Sequence, residues 1–242
     1  MKILVDTHTH TISSGHAYST VTENALVAAK KGLEMIAISD HGPSMEGAPT
    51  YLHFANLRIL PEKIAGVRIL KSIEANIIDN DGRVDLRDQF LARLDFVLAS
   101  LHDICIEPLN REQNTQALIG ALQRPWIDAI AHPGNPVFPI YIEEVVLAAK
   151  RYNKFIEINN HSFIARVGSE ENCREFATLC KKHEVRVICG SDAHYCENVG
   201  NFDKVVKLLE EIEMPEELVM NLSASNFETY ILEKKNRNKG LL

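Results

Sequence analysis

Seven short apolar runs, four to seven residues each, punctuate this chain of 242 residues, and stretches with helical spacing separate them. They fall at Lys2–Asp6, Glu34–Ser39, Val67–Ile73, Phe96–Ser100, Ile127–Ala131, Phe155–Ile158 and Val185–Cys189. A nearly unbroken apolar run of this length suits a strand buried on both faces, as in a parallel sheet with helices over it. The intervening stretches supply those helices. Thr20 and Glu23 form a capping-box pattern and Gly32 closes the helix they open; Ile142, Val145, Val146 and Ala149 sit at i, i+3, i+4, i+7. Further helices are expected over Glu112–Gln123, around Cys173–Cys180, near 202–213, and near 225–235 behind a second capping box, Ser225 with Glu228. No internal linker rich in Gly, Ser or Pro breaks the alternation, so the chain reads as one α/β domain over 1–242, closed as a parallel barrel. Residues 42–66 look irregular, a long loop of the kind that serves function or closes as a lid, and Asn80-Asp81-Gly82 reads as a tight turn in a small hairpin. The basic stretch from Lys234, with 235–242 beyond it, reads as a frayed tail.

The second feature is where these runs end. His8 and His10 close the first and, two residues apart, point to one side of an extended strand; His16 follows six residues later. His41, Glu74, His102, His132, Asp192 and His194 lie at or just past later run ends. Barrels carry their chemistry at the carboxyl ends of strands, and every member of this set but His16 is there. Each signal is weak alone; the ordered set is specific. Imidazoles and carboxylates suit Zn²⁺, Mn²⁺ or Fe²⁺, and nine ligands are too many for one ion and about right for two or three. A carboxylate such as Glu74 can bridge two cations.

Charge and composition narrow the partners. The net charge of −7 argues against a long nucleic-acid ligand, and no apolar run approaches the roughly 18 residues of a membrane span. Cys105, Cys173, Cys180, Cys189 and Cys196 are odd in number and contain no C-x-x-C, as expected of reduced thiols in a cytoplasmic protein; Met1-Lys2 leads straight into a strand. No Ser-His-Asp arrangement or glycine-rich phosphate loop is evident. Arg58, Arg166 and His53 are the candidates for holding substrate, and Asp6 and Asp40, beside ligand candidates, could accept from imidazole N–H groups.

The chain resembles the PHP (polymerase and histidinol phosphatase) superfamily, and within it the small stand-alone YcdX-type branch of phosphatases. His8-Thr9-His10, His16, Asp40-His41-Gly42-Pro43, Ile73-Glu74-Ala75-Asn76, His102, His132-Pro133-Gly134-Asn135-Pro136, Glu157-Ile158-Asn159-Asn160 and Gly190-Ser191-Asp192-Ala193-His194 carry the resemblance over nearly the whole chain. It implies a distorted (β/α)7 barrel and three divalent metal ions, with zinc first and manganese or iron as alternatives. Carried over, His8, His10, Glu74 and Asp192 hold one ion; His16, His41 and His194 hold a second; Glu74, as a bridge, with His102 and His132 holds the third. The implied reaction is hydrolysis of a small phosphomonoester by a metal-bound water, with no nucleophile from the protein. His161 stands where the branch more often has a small polar residue. Three other readings stay open: a phosphodiesterase or exonuclease on short nucleic acid, an amidohydrolase, and a non-catalytic metal-binding module. Homo-oligomerisation also stays open.

Overall fold

The structure, a computed structural model, describes residues 1–239. In chain order the elements are β1 (Val5–Thr9), α1 (Val21–Lys31), β2 (Met35–Ile38), α2 (Tyr51–Asn56), β3 (Lys63–Ile64), β4 (Val67–Asn76), α3 (Asp88–Leu91), β5 (Phe96–Ser100) and α4 (Arg111–Gln123). There follow β6 (Ala129–Ile130), α5 (Ile142–Tyr152), β7 (Phe155–Asn159), α6 (Ser162–Ala165), α7 (Ser169–Lys182), β8 (Val187–Gly190), α8 (Asp203–Glu211) and α9 (Ala224–Lys239). Seven strands run parallel in the order β1-β2-β4-β5-β6-β7-β8, and β3 adds an antiparallel edge to β4. The fold is a distorted (β/α)7 barrel.

The distortion lies at the seam between β1 and β8. At the carboxyl end Thr9 pairs with Ala193, and the His10 N–H donates to the Ala193 carbonyl at 2.9 Å. Deeper in, the Asn221 side chain replaces the ladder. Its amide donates to the carbonyls of Val5 (2.7 Å) and Cys189 (2.9 Å) and accepts from the Cys189 N–H (2.7 Å).

Strand alternation sorts side chains to the two faces. Val5, Ala37, Leu70, Phe96, Leu98, Phe155 and Ile188 fill the interior; Ile36, Ile69, Ile73, Val97 and Ile156 pack outward beneath the helices. The inward face turns polar toward the carboxyl end. Leu70 is followed at steps of two by Ser72, Glu74 and Asn76, Ala37 by Ser39 and His41, and Leu98 by Ser100 and His102, all but His102 buried. On β1 the alternation is broken. Asp6 pairs with Ile36 and Thr9 with Ile38, so β1 spends three residues against two on β2. Strict alternation from Val5 would turn Thr7 and Thr9 inward. The extra residue of the bulge reverses the parity and delivers His8 and His10 to the interior.

The opposite end is sealed by α9. Phe227, Tyr230 and Ile231 plug the barrel floor beneath Phe96 and Phe155. Asp128, at the base of β6, accepts from the Val97 N–H (2.7 Å), the Tyr230 hydroxyl (2.7 Å) and the buried Lys234 ammonium. The Asn238 side chain donates to the Ala92 carbonyl at 3.1 Å. The expectation of a frayed tail therefore fails for 235–239, which continue the docked helix; 240–242 lie outside the described residues. The cap of α9 is also displaced from expectation. The helix begins at Ala224, so Ser223, not Ser225, precedes it and accepts the Asn226 N–H at 3.2 Å, while Glu228 pairs with Arg68. Residues 42–66 are less irregular than expected and contain α2, a 3-10 turn at Leu57–Ile59 and β3. No helix among the described residues is long and apolar enough to cross a membrane.

The floor contacts yield a stability test. Asp128→Ala leaves a buried ammonium and a buried hydroxyl unpaired, so unfolding in urea should show a loss of about 3–5 kcal/mol. Adding Lys234→Met should restore part of it, and no recovery would mean that the ion pair is not what matters at this position.

Candidate metal centre

At the carboxyl mouth of the barrel the structure brings eight of the nine candidate ligands into four overlapping groups. These are His10, His41 and His194; His8, His10 and Asp192; His8, Glu74 and His132; and His41, Glu74 and His102. Glu74, inside β4 rather than just past it, is central. Its Oε2 lies 2.8 Å from His41 Nδ1, 3.2 Å from His8 Nε2 and 3.5 Å from His10 Nε2. Its Oε1 lies 2.6 Å from His132 Nε2 and 3.2 Å from His102 Nε2. Asp192 Oδ1 lies 3.2 Å from His10 Nε2 and 3.6 Å from His8 Nε2. Exposed His16, the ninth, is carried on a loop. Its ring stands 5.0 Å from that of His41 and 4.9 Å from that of His194. His132 and Asp192 both take positive φ, 30° and 55°, a backbone turn that swings them inward just past β6 and β8.

The atoms behind the imidazoles assign their tautomers. The Ser14 hydroxyl donates to Asp40 Oδ1 at 2.7 Å, so Ser14 Oγ accepts from His10 Nδ1 at 3.0 Å. The Asn76 amide nitrogen donates to Gly42 and Asp85, so its oxygen accepts from His102 Nδ1 at 2.7 Å. His194 Nδ1 donates to the Asp192 carbonyl at 3.0 Å, and His8 Nδ1 to Glu157 Oε1 at 2.8 Å. Each of these rings, when neutral, then has a bare Nε2 lone pair. Those of His8 and His10 face each other at 3.1 Å, beside carboxylate oxygens. Glu74 Oε2 and His41 Nδ1 are buried and lack a hydrogen-bond partner despite their proximity. Crowded lone pairs repel unless a cation lies among them, so the donor set fits divalent metal ions.

Titration reflects the same crowding. Burial would neutralise Glu74, but His41, His8, His102 and His132 outweigh it and hold its carboxyl well below the usual range. Burial also works against a charge on His8, yet Glu157, Glu74 and Asp192 together keep its pKa well above the ordinary value. His132 is pushed down to about 4 by burial and then by the Arg166 charge. Burial would raise Asp40, but hydrogen bonds from His53 and Thr11 help to bring it to about 2.

The substrate candidates fare differently. Arg166 reaches the site, with Nη2 3.2 Å from Asp192 Oδ2 and its side chain partly exposed. His53 turns to Asp40 Oδ2 at 3.2 Å. Arg58 is exposed on its 3-10 turn, and among the described residues no hydrogen bond or ion pair ties it to the cluster. Asp40 supports an imidazole through Ser14, as anticipated in outline. Asp6 instead accepts backbone N–H groups of Ser191 (3.0 Å) and Gly200 (2.8 Å), holding the β8 loop. Glu157 was missed. Besides His8 it accepts the His132 N–H at 2.8 Å and so ties β1 and β6 to β7. A lone acid within the apolar run Phe155–Ile158 was the available signal. Gly190 makes room for it, since a Cβ there would stand 2.1 Å from Glu157 Oε1 and 2.6 Å from His8 Cβ.

Comparison with known proteins adds the following. The PHP domain profile matches residues 6–161. A "Probable phosphatase" of Acetivibrio thermocellus is 62% identical over 237 residues, covering 98% of each chain. Another, of Caldanaerobacter subterraneus subsp. tengcongensis, is 55% identical over 98% of this chain and 94% of its own. The histidinol phosphate phosphatase of Lactococcus lactis, solved with zinc, L-histidinol and phosphate, superposes with a TM-score of 0.62 at 17% identity, over 89% of this chain and 95% of that one. A chain of the archaeal ribonuclease P structure with mature tRNA superposes with a TM-score of 0.59 at 12% identity, over 98% of this chain and 92% of that one. At such identities the likeness is one of fold alone, and fold does not set function.

Gly190→Ala tests the packing around Glu157. The added methyl should displace His8 from Glu157 and cut metal affinity by roughly 10–100-fold, the usual range for losing such a partner. Equilibrium dialysis against zinc measures it, and unchanged affinity would remove Glu157 from the account.

Proposed function

The chain belongs to the PHP domain family, and on that premise we propose that it is a metal-dependent phosphatase acting on a small phosphomonoester at a site for three divalent cations. The observation that carries this reading is the convergence of bare imidazole nitrogens and carboxylate oxygens, with one arginine beside them, at the barrel mouth. His8, His10, Glu74 and Asp192 would hold one ion; His16, His41 and His194 a second; Glu74, His102 and His132 a third. The imidazole-rich set favours zinc, with manganese and iron as the alternatives. When bound, such cations supply Lewis acidity, neutralising phosphoryl oxygens and making a coordinated water acidic enough to attack.

The protein's own residues then orient and shield. Asp192 divides its oxygens, Oδ1 toward His8 and His10 and Oδ2 toward Arg166 and the Asn159 amide. Arg166 is partly exposed at the rim, so its free N–H groups can fork onto phosphoryl oxygens. Glu157, Ser14 and Asn76 fix the rings so that no reorganisation is needed when substrate arrives. The acidic chain speaks for a small substrate over a long nucleic acid. The free thiols of all five cysteines fit a cytoplasmic setting.

The decisive experiment offers zinc- or manganese-loaded protein a panel of small phosphomonoesters beside short oligonucleotides, with and without chelator. Phosphate release from monoesters that chelator abolishes, and that His8→Ala lowers by orders of magnitude, is the expected result. Turnover of oligonucleotides alone would move the enzyme to the nuclease side, and no turnover would favour a binding module. Arg166→Lys keeps the charge and loses the fork. It should raise KM for the monoester about 10-fold or more, the worth of one charge-assisted hydrogen bond, with kcat less affected. An unchanged KM would place the phosphoryl group elsewhere.

A further inference from the structure

The ligands are not equivalent in charge, burial or support, and this bears on how the ions are held. We propose that the position formed by His16, His41 and His194 is a labile one, filled last and emptied first; the inference rests on the three-ion reading above. The position of His8, His10, Glu74 and Asp192 has two carboxylates, that of Glu74, His102 and His132 has one, and that of His16, His41 and His194 has none. Cations a few ångströms apart repel, and only anionic ligands offset that repulsion locally. Ligand charge and site rigidity are the general determinants of how tightly a cation is held.

Burial follows the same order. His8, His10, Glu74 and Asp192 are all buried, whereas His16 is exposed and the His194 side chain is 25% exposed. So does support. His8 leans on the Glu157 carboxylate at 2.8 Å and His10 on Ser14 backed by Asp40, while His194 Nδ1 donates to a backbone carbonyl, with the nearest carboxylate oxygen, Asp192 Oδ1, 3.5 Å away. His16 alone does not follow a strand. It trails the 3-10 turn at Ile12–Ser14 and is placed by Gly15 (φ 83°), which packs so closely on Gly47 that a Cβ there would lie 2.6 Å from the Gly47 carbonyl oxygen. Strand ends fix the buried ligands, and a contact between two loops fixes this one.

Graded chelation tests the idea. Zinc-saturated protein is dialysed against rising chelator, with ions per chain read by atomic emission and folding by circular dichroism. Wild type should begin with three ions and lose one at a chelator level roughly 10-fold or more below that needed for the rest, with the fold intact. His16→Ala, and separately His194→Ala, should begin with two and lose them where wild type loses its last two. Loss of all three together in wild type, or equal loss of every ion in both variants, overturns the proposal. A saturated wild type with fewer than three ions overturns the three-ion reading itself, and that shows before any chelator is added.

Discussion

The structure is organised around a buried cluster that ought to repel itself. Glu74 and Asp192 are almost fully withdrawn from water, and imidazole nitrogens stand 2.6–3.6 Å from their oxygens. Removing such groups from water is costly unless something of opposite charge repays it. Arg166 offsets part of the Asp192 charge from the rim, and hydrogen bonds occupy the outer nitrogens of His8, His10, His102 and His194, so the remaining compensation falls to the space they enclose. Divalent cations would supply it, and the barrel makes structural sense as the holder of that space.

Several backbone departures serve this end. The bulge in β1 reverses its alternation; His132 and Asp192 accept left-handed backbone; Gly190 surrenders a side chain so that Glu157 can reach His8. None would improve a barrel that lacked the cluster, and strain of this kind gathers at functional sites. The other end of the barrel carries the stability. There α9 plugs the floor with aromatic rings and ties down with Asp128, Tyr230 and Lys234. One end is apolar and closed, the other polar and open, and the same strands run from one to the other.

Much of this was legible in the sequence. The seven runs fixed the parallel strands because burial on both faces leaves no polar alternation to confuse them. The ligand candidates stood out because they end those runs, and the structure assembles eight of them into groups and sets His16 alongside. What stayed hidden depends on geometry between strands. A bulge has no signature in Val5-Asp6-Thr7-His8, and Glu157 looked like a residue of an apolar run because its partners are 149 and 25 positions away. Lys234 and Asn238 read as tail because their partners, Asp128 and Ala92, are over a hundred residues upstream. Arg58 stands apart from the cluster. A positive charge in a long loop is a cheap pattern, and its turn leaves it in solvent.

The central claim is that the enclosed lone pairs exist to hold cations. Anomalous X-ray diffraction at the zinc edge, from crystals of protein purified without chelator, addresses it directly. The account predicts separate anomalous peaks within coordination distance of Nε2 of His8, His10, His102 and His194, with Glu74 touching more than one of them. Rings rotated to hydrogen-bond one another around ordinary waters, with no anomalous signal even after soaking in zinc, would contradict it.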